Sequence, residues 1–88
     1  MGDSLIGTDV NLEAGSVIAN HHNDRSDKDV WVCDENVFFN TGVTKFGALI
    51  GDHSRIAANA VCSPGTVLPP HAIVRRLELV EQDRNRPR

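Results

Sequence analysis

The chain has 88 residues, of which 40% are hydrophobic and 24% are charged, and its formal net charge at pH 7 is −3. This length fits one small domain, and the composition is that of a folded globular protein rather than a disordered one. The acidic balance argues against a clustered basic face, so no nucleic-acid partner is expected. No apolar stretch approaches the roughly 18 residues of a membrane span, so no membrane partner is expected and the predicted location is the cytoplasm.

Apolar residues recur every six positions near the N-terminus. The blocks IGTDVN, LEAGSV and IANHHN open at Ile6, Leu12 and Ile18. An amphipathic helix would place apolar residues three and four positions apart, and a half-buried strand would alternate them at every second position. A period of six fits neither pattern and instead predicts short strands joined by corners.

The period stops after Ile18, and an excursion of hairpin and loop is predicted near residues 21–46. Residues 23–29, NDRSDKD, are polar and charged and predict an exposed loop. The segments VWVC and NVFF follow, separated by Asp34 and Glu35, and predict the two strands of a hairpin.

The period of six resumes at Ile50 in the blocks IGDHSR, IAANAV, CSPGTV and LPPHAI. The fifth place of these blocks is always small: Ser54, Ala60, Thr66 and Ala72. We expect the chain to turn at these small residues, so that the apolar residues of successive turns stack in a parallel β-solenoid. The predicted solenoid domain covers residues 1–80, and residues 81–88 are predicted to form a charged flexible tail.

The predicted solenoid has about three coils, which is close to the minimum number of units that repeat proteins need for stability. Both of its ends leave strand edges and apolar cross-sections uncovered. A homo-oligomer is therefore expected.

Two longer strings, GDSLIGTDVNLEAGSVIAN and TGVTKFGALIGDHSRIAANAVCSPGTVL, carry a family resemblance. They resemble the C-terminal left-handed β-helix of sugar-1-phosphate nucleotidylyltransferases, above all that of the bifunctional uridylyltransferase/glucosamine-1-phosphate acetyltransferase. The resemblance covers about residues 2–80. It implies an all-β, left-handed parallel β-helix of hexapeptide repeats, assembled as a trimer, with acyltransferase sites between neighbouring subunits that use acetyl-CoA or another acyl-CoA.

The resemblance also implies roles for individual residues. Asn11 and Asn20 match two asparagines of the family's substrate site, and Lys45 matches a lysine that meets the sugar phosphate. His21 follows Asn20 and occupies the place of a tyrosine. Acyl transfer requires a base with a pKa near neutrality, which histidine supplies, so His21 is the predicted catalytic residue and a sugar phosphate or a small amine the predicted acceptor.

Each of these residues also has a simpler interpretation. Asn11 and Asn20 belong to a residue type that favours tight turns, and His21 is also compatible with an exposed loop. Lys45 interrupts an apolar segment, which requires that its ammonium group meet an anion or reach solvent. The pair Arg75 and Arg76 suits the phosphates of a coenzyme, but it equally suits an exposed edge strand.

No metal is expected. The carbonic anhydrases that share this kind of solenoid need three converging histidines for their zinc-type ion, and the adjacent His21 and His22 cannot easily share an ion. His22, His53 and His71 are expected to be structural or exposed.

Two departures from the family pattern keep a second interpretation open. The family's catalytic histidine lies several residues before the segment that matches GDSLIG, where this sequence has only Met1. The family's coenzyme A site also draws on coils beyond the last coil of this sequence. The sequence thus predicts either an acetyl-CoA-dependent acyltransferase-like domain, with an incomplete catalytic set, or a non-catalytic trimerisation or ligand-binding module.

Overall fold

The computed structural model describes residues 4–23, 26–34 and 37–82. Within these ranges the protein is all-β, with strands and turns but no helix. The described chain accordingly has no helix long and apolar enough to cross a membrane. From position 83 onward, the predicted charged tail lies outside the described residues.

The strands are short and lie on both sides of an inserted hairpin. The first three are β1 (Leu5–Ile6), β2 (Asn11–Leu12) and β3 (Val17–Ile18). The hairpin consists of β4 (Trp31–Asp34) and β5 (Val37–Asn40). The remaining strands are β6 (Ala48–Ile50), β7 (Arg55–Ile56), β8 (Val61–Cys62), β9 (Thr66–Leu68), β10 (Ile73–Val74) and β11 (Leu79–Val80).

Outside the hairpin, the described strands form three parallel sheets of three strands each. Their orders are β1-β6-β9, β10-β7-β2 and β11-β8-β3, so the chain visits the three sheets in the same order on each pass. Parallel strands cannot be joined by a tight hairpin and require a crossover, which here is the passage through the other two sheets. The predicted all-β class and parallel pairing are confirmed, and the arrangement is compatible with a β-helix.

The strand register explains why apolar residues recur every six positions. In the second sheet, Ile56 pairs with Leu12 on one side and with Val74 on the other. The corresponding columns are Ile6, Ile50 and Leu68 in the first sheet and Ile18, Cys62 and Val80 in the third. The buried core consists of Ile18, Ala48, Ile50, Ile56, Ala60, Cys62, Leu68 and Val74. Three apolar columns therefore meet inside the molecule and exclude water from one another.

The backbone turns one position earlier than the sequence predicts. At seven corners of the described chain the fourth residue of the block has a positive φ between 56° and 85°. These residues are Asp9, Gly15, His53, Asn59, Gly65, His71 and Leu77. The small fifth-place residue follows the turn and points inward, as Ser54 and Ala60 do with no exposed surface. The expectation that the turn lies at the fifth place was wrong: a small side chain is needed there because it enters the core beside the corner.

The predicted hairpin is confirmed, with each strand one residue later than predicted. Its strands pair antiparallel, with Val32 opposite Phe39. The hairpin approaches the corner between β8 and β9 at Gly65, where the Trp31 carbonyl oxygen occupies the space that a Cβ atom would fill. Gly65 also has a φ of +85°, which glycine adopts more readily than residues that carry a Cβ atom. In the preceding loop, residues 24–25 lie outside the described residues. Asn23 and the segment 26–27 are exposed as predicted, whereas Lys28 and Asp29 are half-buried.

The side chain of Gln82 covers part of the outer edge of β9. Its Oε1 atom accepts a hydrogen bond from the main-chain N–H of Val67, and its Nε2 atom donates to the Val67 carbonyl oxygen, both at 2.8 Å. Because β9 lies at the edge of its described sheet, these two groups have no neighbouring strand to pair with. The amide of Gln82 thus replaces the two hydrogen bonds that another strand would make.

We predict that Ile56→Ala lowers the free energy of unfolding by about 2–5 kcal/mol, because the side chain is fully buried and the mutation leaves a cavity in the core. Urea denaturation measures the loss. The matched control is Ile73→Ala, which removes the same atoms from a side chain that is 74% exposed. It should change stability by no more than about 0.5 kcal/mol. Equal losses in the two variants would contradict this placement of the core.

Candidate functional site

Three of the four predicted site residues meet where β3 ends and the excursion returns toward β6. The main-chain N–H of Phe46 donates a hydrogen bond of 3.0 Å to the carbonyl oxygen of Asn20. The Nδ1 atom of His21 lies 2.9 Å from the carbonyl oxygen of Thr44. Because these two contacts lie on either side of Lys45, they hold the lysine beside Asn20 and His21. We call these three residues the excursion site.

The contact with Thr44 selects the state of the His21 ring. A carbonyl oxygen only accepts hydrogen bonds, so Nδ1 carries the proton in this contact. The Nε2 atom of the neutral ring then keeps its lone pair, as a general base requires. The His21 side chain is half-buried, so its orientation is restrained while solvent and ligands still reach it.

Lys45 reaches solvent. Its side chain is exposed and makes no hydrogen bond or ion pair with any described residue. The sequence predicts that the ammonium group of Lys45 meets either an anion or solvent. In a single copy of the chain it meets solvent. An unpaired ammonium group beside a histidine remains suited to an anionic ligand, for example a phosphate.

Asn11 lies elsewhere, on the second sheet. It is exposed in β2 and lines a pocket of about 350 Å³ on the outer face of β10-β7-β2. None of the excursion-site residues lines this pocket. A single copy of the chain therefore does not bring Asn11 together with the other three predicted residues.

The pocket around Asn11 is lined with charge. Besides Asn11 its lining includes Glu13, Ile73, Arg55, Arg75 and Arg76. Arg75 and Arg76 were expected from the sequence to suit a phosphate, whereas Arg55 and Glu13 were not predicted as site residues. The sequence does contain a signal for Arg55, because it directly precedes the inward-pointing Ile56. Successive side chains of a strand alternate, so Arg55 points outward in the same row as Asn11. We call this the arginine pocket.

A third group of polar side chains stacks at one corner of successive passes. His53 Nδ1 lies 3.0 Å from Asp9 Oδ2, and the rings of His53 and His71 stack with their centroids 5.1 Å apart. The hydrogen bond from His53, followed by the positive charge of Arg55, lowers the pKa of Asp9 below its ordinary value. His53 and His71 are exposed, in agreement with the expectation.

His22 is buried, with 4% of its surface exposed, which agrees with a structural role. Among the described residues, no group of three or more histidine, cysteine, aspartate or glutamate side chains is arranged to hold a metal ion. Cys33 and Cys62 are free thiols. Burial, and then the negative charge of Glu78, raise the pKa of Cys62, so this thiol stays protonated and unreactive at neutral pH.

Comparison with known proteins finds a similarity to a bifunctional sugar-1-phosphate nucleotidylyltransferase/acetyltransferase. No protein-family model matches the chain. The bifunctional sugar-1-phosphate nucleotidylyltransferase/acetyltransferase of Sulfurisphaera tokodaii is 36% identical to it over 83 residues. The matched region is 94% of this chain but 20% of that protein, so the chain spans about a fifth of the length of this relative. The similarity supports an acetyltransferase-like domain at the level of the family.

The Asp9 carboxylate predicts how stability depends on pH. Its pKa is lower in the folded chain than the ordinary value of 3.8, so its contribution to stability is present above that value and is lost as the pH falls through the folded pKa. We expect Asp9→Asn to lose less thermal stability than the original chain when the pH is lowered through this range. His53→Gly, which removes the hydrogen-bond donor and suits the positive φ, should show the same weaker dependence. Unchanged acid sensitivity in both variants would rule out this contact as its source.

Proposed function

We propose that the chain is a left-handed parallel β-helix of hexapeptide repeats, with about three coils, that acts as an acetyltransferase-like domain. The fixed order in which the strands visit three parallel sheets supports the helix, and the resemblance supplies its hand. The acetyltransferase named in the relative's description supports the activity, since nearly the whole chain aligns with that protein. The observation that carries the reaction is the contact of His21 Nδ1 with the Thr44 carbonyl oxygen, which orients the ring so that Nε2 of its neutral form could act as the base near Asn20 and Lys45.

The proposed reaction moves an acyl group from the sulfur of acyl-CoA to the nitrogen or oxygen of a sugar phosphate or a small amine. Nε2 of His21 accepts the proton of the acceptor while its nitrogen or oxygen attacks the thioester carbonyl carbon. The tetrahedral intermediate collapses as the carbon–sulfur bond breaks. The imidazolium then returns the proton to the leaving thiolate, so His21 ends the cycle neutral.

Lys45 and Asn20 would position the acceptor. The exposed ammonium group of Lys45 provides a charge-assisted contact for a phosphate. The main chain of Asn20 is fixed next to Lys45, because its carbonyl oxygen accepts the N–H of Phe46.

We further propose that the chain assembles as a trimer and that a neighbouring copy supplies Asn11. The outward row of the third sheet consists of Val17, Val61 and Leu79, which pair in register. Val17 is 46% exposed and Leu79 53% exposed, so this row presents an apolar strip to solvent. A second copy that covers the strip removes its surface from water, and its Asn11 would complete a site between subunits.

A non-catalytic trimerisation or ligand-binding module is the second candidate. It is favoured by the separation of Asn11 from the excursion site in one copy of the chain. Both functions need the same assembly, so only ligand binding and turnover distinguish them.

Acetyl-CoA binding and turnover test the proposal directly. Acetyl-CoA at about one hundred times its Kd should stabilise the folded protein by about 2.7 kcal/mol, visible as a higher thermal midpoint. With glucosamine 1-phosphate present, free thiol should be released, and His21→Gln should slow this release by about 10²- to 10⁴-fold. His71→Asn is the matched control, because it alters an exposed histidine away from the excursion site and should keep the rate. Absence of both stabilisation and thiol release would leave the non-catalytic module.

The assembly is tested by charging the apolar strip. Leu79→Glu places a carboxylate within the proposed interface, where burying an unpaired charge is costly, so the variant should sediment as a monomer. Leu5→Glu is the control, since Leu5 is 72% exposed on a different sheet and its variant should remain a trimer. If the original chain sediments as a folded monomer, the trimer proposal is wrong.

A further inference from the structure

We infer that the arginine pocket binds a phosphate-bearing small molecule. The pocket lies on the outer face of β10-β7-β2 and has only Asn11 in common with the predicted site residues. The inference does not require acyl transfer at His21, although in the proposed trimer the pocket would adjoin the site between subunits, because both include Asn11.

The register of the second sheet builds the hollow. Asn11, Arg55 and Ile73 form one outward row, in which neighbouring strands lie about 4.8 Å apart. Two residues further along each strand direction lies the next outward row, which consists of Glu13, Ala57 and Arg75 with Ala57 in the middle. Main-chain hydrogen bonds of 2.9 Å, from Glu13 N–H to Ile56 and from Ala57 N–H to Val74, keep the strands together at this level. The small Ala57 thus lies between longer side chains and leaves the depression open.

The side chain of Glu13 stands on one side of Ala57 and that of Arg75 on the other. Glu13 is already engaged, because its Oε1 atom accepts a hydrogen bond of 3.0 Å from the N–H of Ala58. The printed contacts of Arg75 involve its main chain: its N–H donates to Glu78 Oε1 at 2.9 Å, and its carbonyl oxygen accepts from the N–H of Glu78 at 3.1 Å. The guanidinium groups of Arg75 and Arg76 make no hydrogen bond or ion pair with any described residue.

The pocket is therefore positive within an acidic chain. Three guanidinium groups and one carboxylate line it, a formal sum of 3 − 1 = +2, whereas the whole chain has a net charge of −3. Arg55 is tied to the rim, because its Nη1 atom donates to the carbonyl oxygen of Asp9 at 3.3 Å. Arg55 thus lines the pocket while its guanidinium group also faces Asp9, whereas Arg75 and Arg76 keep their side-chain donors for a ligand.

Phosphate is the anion that these groups fit best. The planar guanidinium group donates two parallel N–H bonds to a phosphate, and two unpaired arginines that line the same pocket could serve a diphosphate or a phosphate monoester. A volume of about 350 Å³ is at the small end of ligand pockets and suits a small molecule rather than a polymer. Ile73, 74% exposed at the wall, offers an apolar contact for the part of the molecule next to its phosphate.

Calorimetric titration with inorganic pyrophosphate tests the pocket. The double variant Arg75→Gln/Arg76→Gln should bind pyrophosphate about 10- to 100-fold more weakly, since charge-assisted hydrogen bonds are lost. Lys28→Gln is the charge control, because it removes a positive charge from the excursion loop and should keep the original affinity. Equal affinity in the original chain and the double variant would overturn the inference, and so would equal weakening in the double variant and Lys28→Gln.

A second pair of variants tests whether pyrophosphate binds in the pocket itself or is attracted nonspecifically by the positive charge of the arginines. Ala57→Leu fills the floor of the pocket and leaves every arginine in place, so pyrophosphate affinity should fall at least tenfold. Ala14→Leu makes the same change at an exposed corner outside the pocket and should leave the affinity unchanged. Thermal midpoints without ligand show whether each variant is folded. A folded Ala57→Leu variant that binds as well as the original chain would contradict the pocket.

Three ligands distinguish the possible sources of the phosphate: inorganic pyrophosphate, coenzyme A and glucosamine 1-phosphate. The ligand whose affinity falls most in the arginine double variant identifies the class that the pocket recognises. If the double variant changes the sedimentation of the protein but not its affinity for any of the three, the arginines bind a carboxylate of a neighbouring copy and the inference fails. Loss of thiol release in His21→Gln with unchanged pyrophosphate binding would keep the two proposals independent.

Discussion

The structure depends on one constraint: parallel strands that pair in register every six residues. Most of these strands have only two residues, too few to be stable alone, and each places one apolar side chain in the column of its sheet. Ile56 is buried because Leu12 and Val74 lie directly beside it in the sheet. A shift of one residue would turn every such side chain to solvent. The positive φ at the fourth place of each block preserves the spacing, since it reverses the chain after the same number of residues each time.

The apolar columns could be predicted from the sequence, but the corners and the site could not. The period that aligns Ile56 with its neighbours is visible in the residue types alone. The corners are not, because the positive φ falls on residue types as different as Asn59, His71 and Leu77, and leucine seldom adopts it. The approach of Lys45 to His21 also depends on how the excursion closes, which no spacing specifies. The expected roles of these residues come from the family resemblance. That Asn20, His21 and Lys45 lie close together follows from the hydrogen bonds of His21 with Thr44 and of Asn20 with Phe46.

The same register that builds the core also sorts the charges. Side chains that alternate along a strand place Arg55 outward whenever Ile56 points inward. Within its row Arg55 has Asn11 on one side and Ile73 on the other, so no second cation lies directly opposite it. Like charges placed directly opposite would destabilise the sheet. Arg75 and Arg76 follow at the next level, around the gap that Ala57 leaves. Positive charge is thereby concentrated on one face of an acidic protein without direct repulsion between paired strands.

This sorting also bears on how a reaction site would be assembled. The inward column of each sheet is used for the core, so functional side chains must lie on outward rows or in the excursion. Asn11 lies on the outward row of the second sheet, while His21 and Lys45 lie beyond the end of the third, and three short parallel sheets cannot bend one face onto another. Under our proposal the contact is made between copies, and the apolar strip of Val17, Val61 and Leu79 provides the reason for copies to meet. Burial of the apolar strip against a second copy would then serve both assembly and catalysis, because the same contact would bring Asn11 of one copy to His21 of the other.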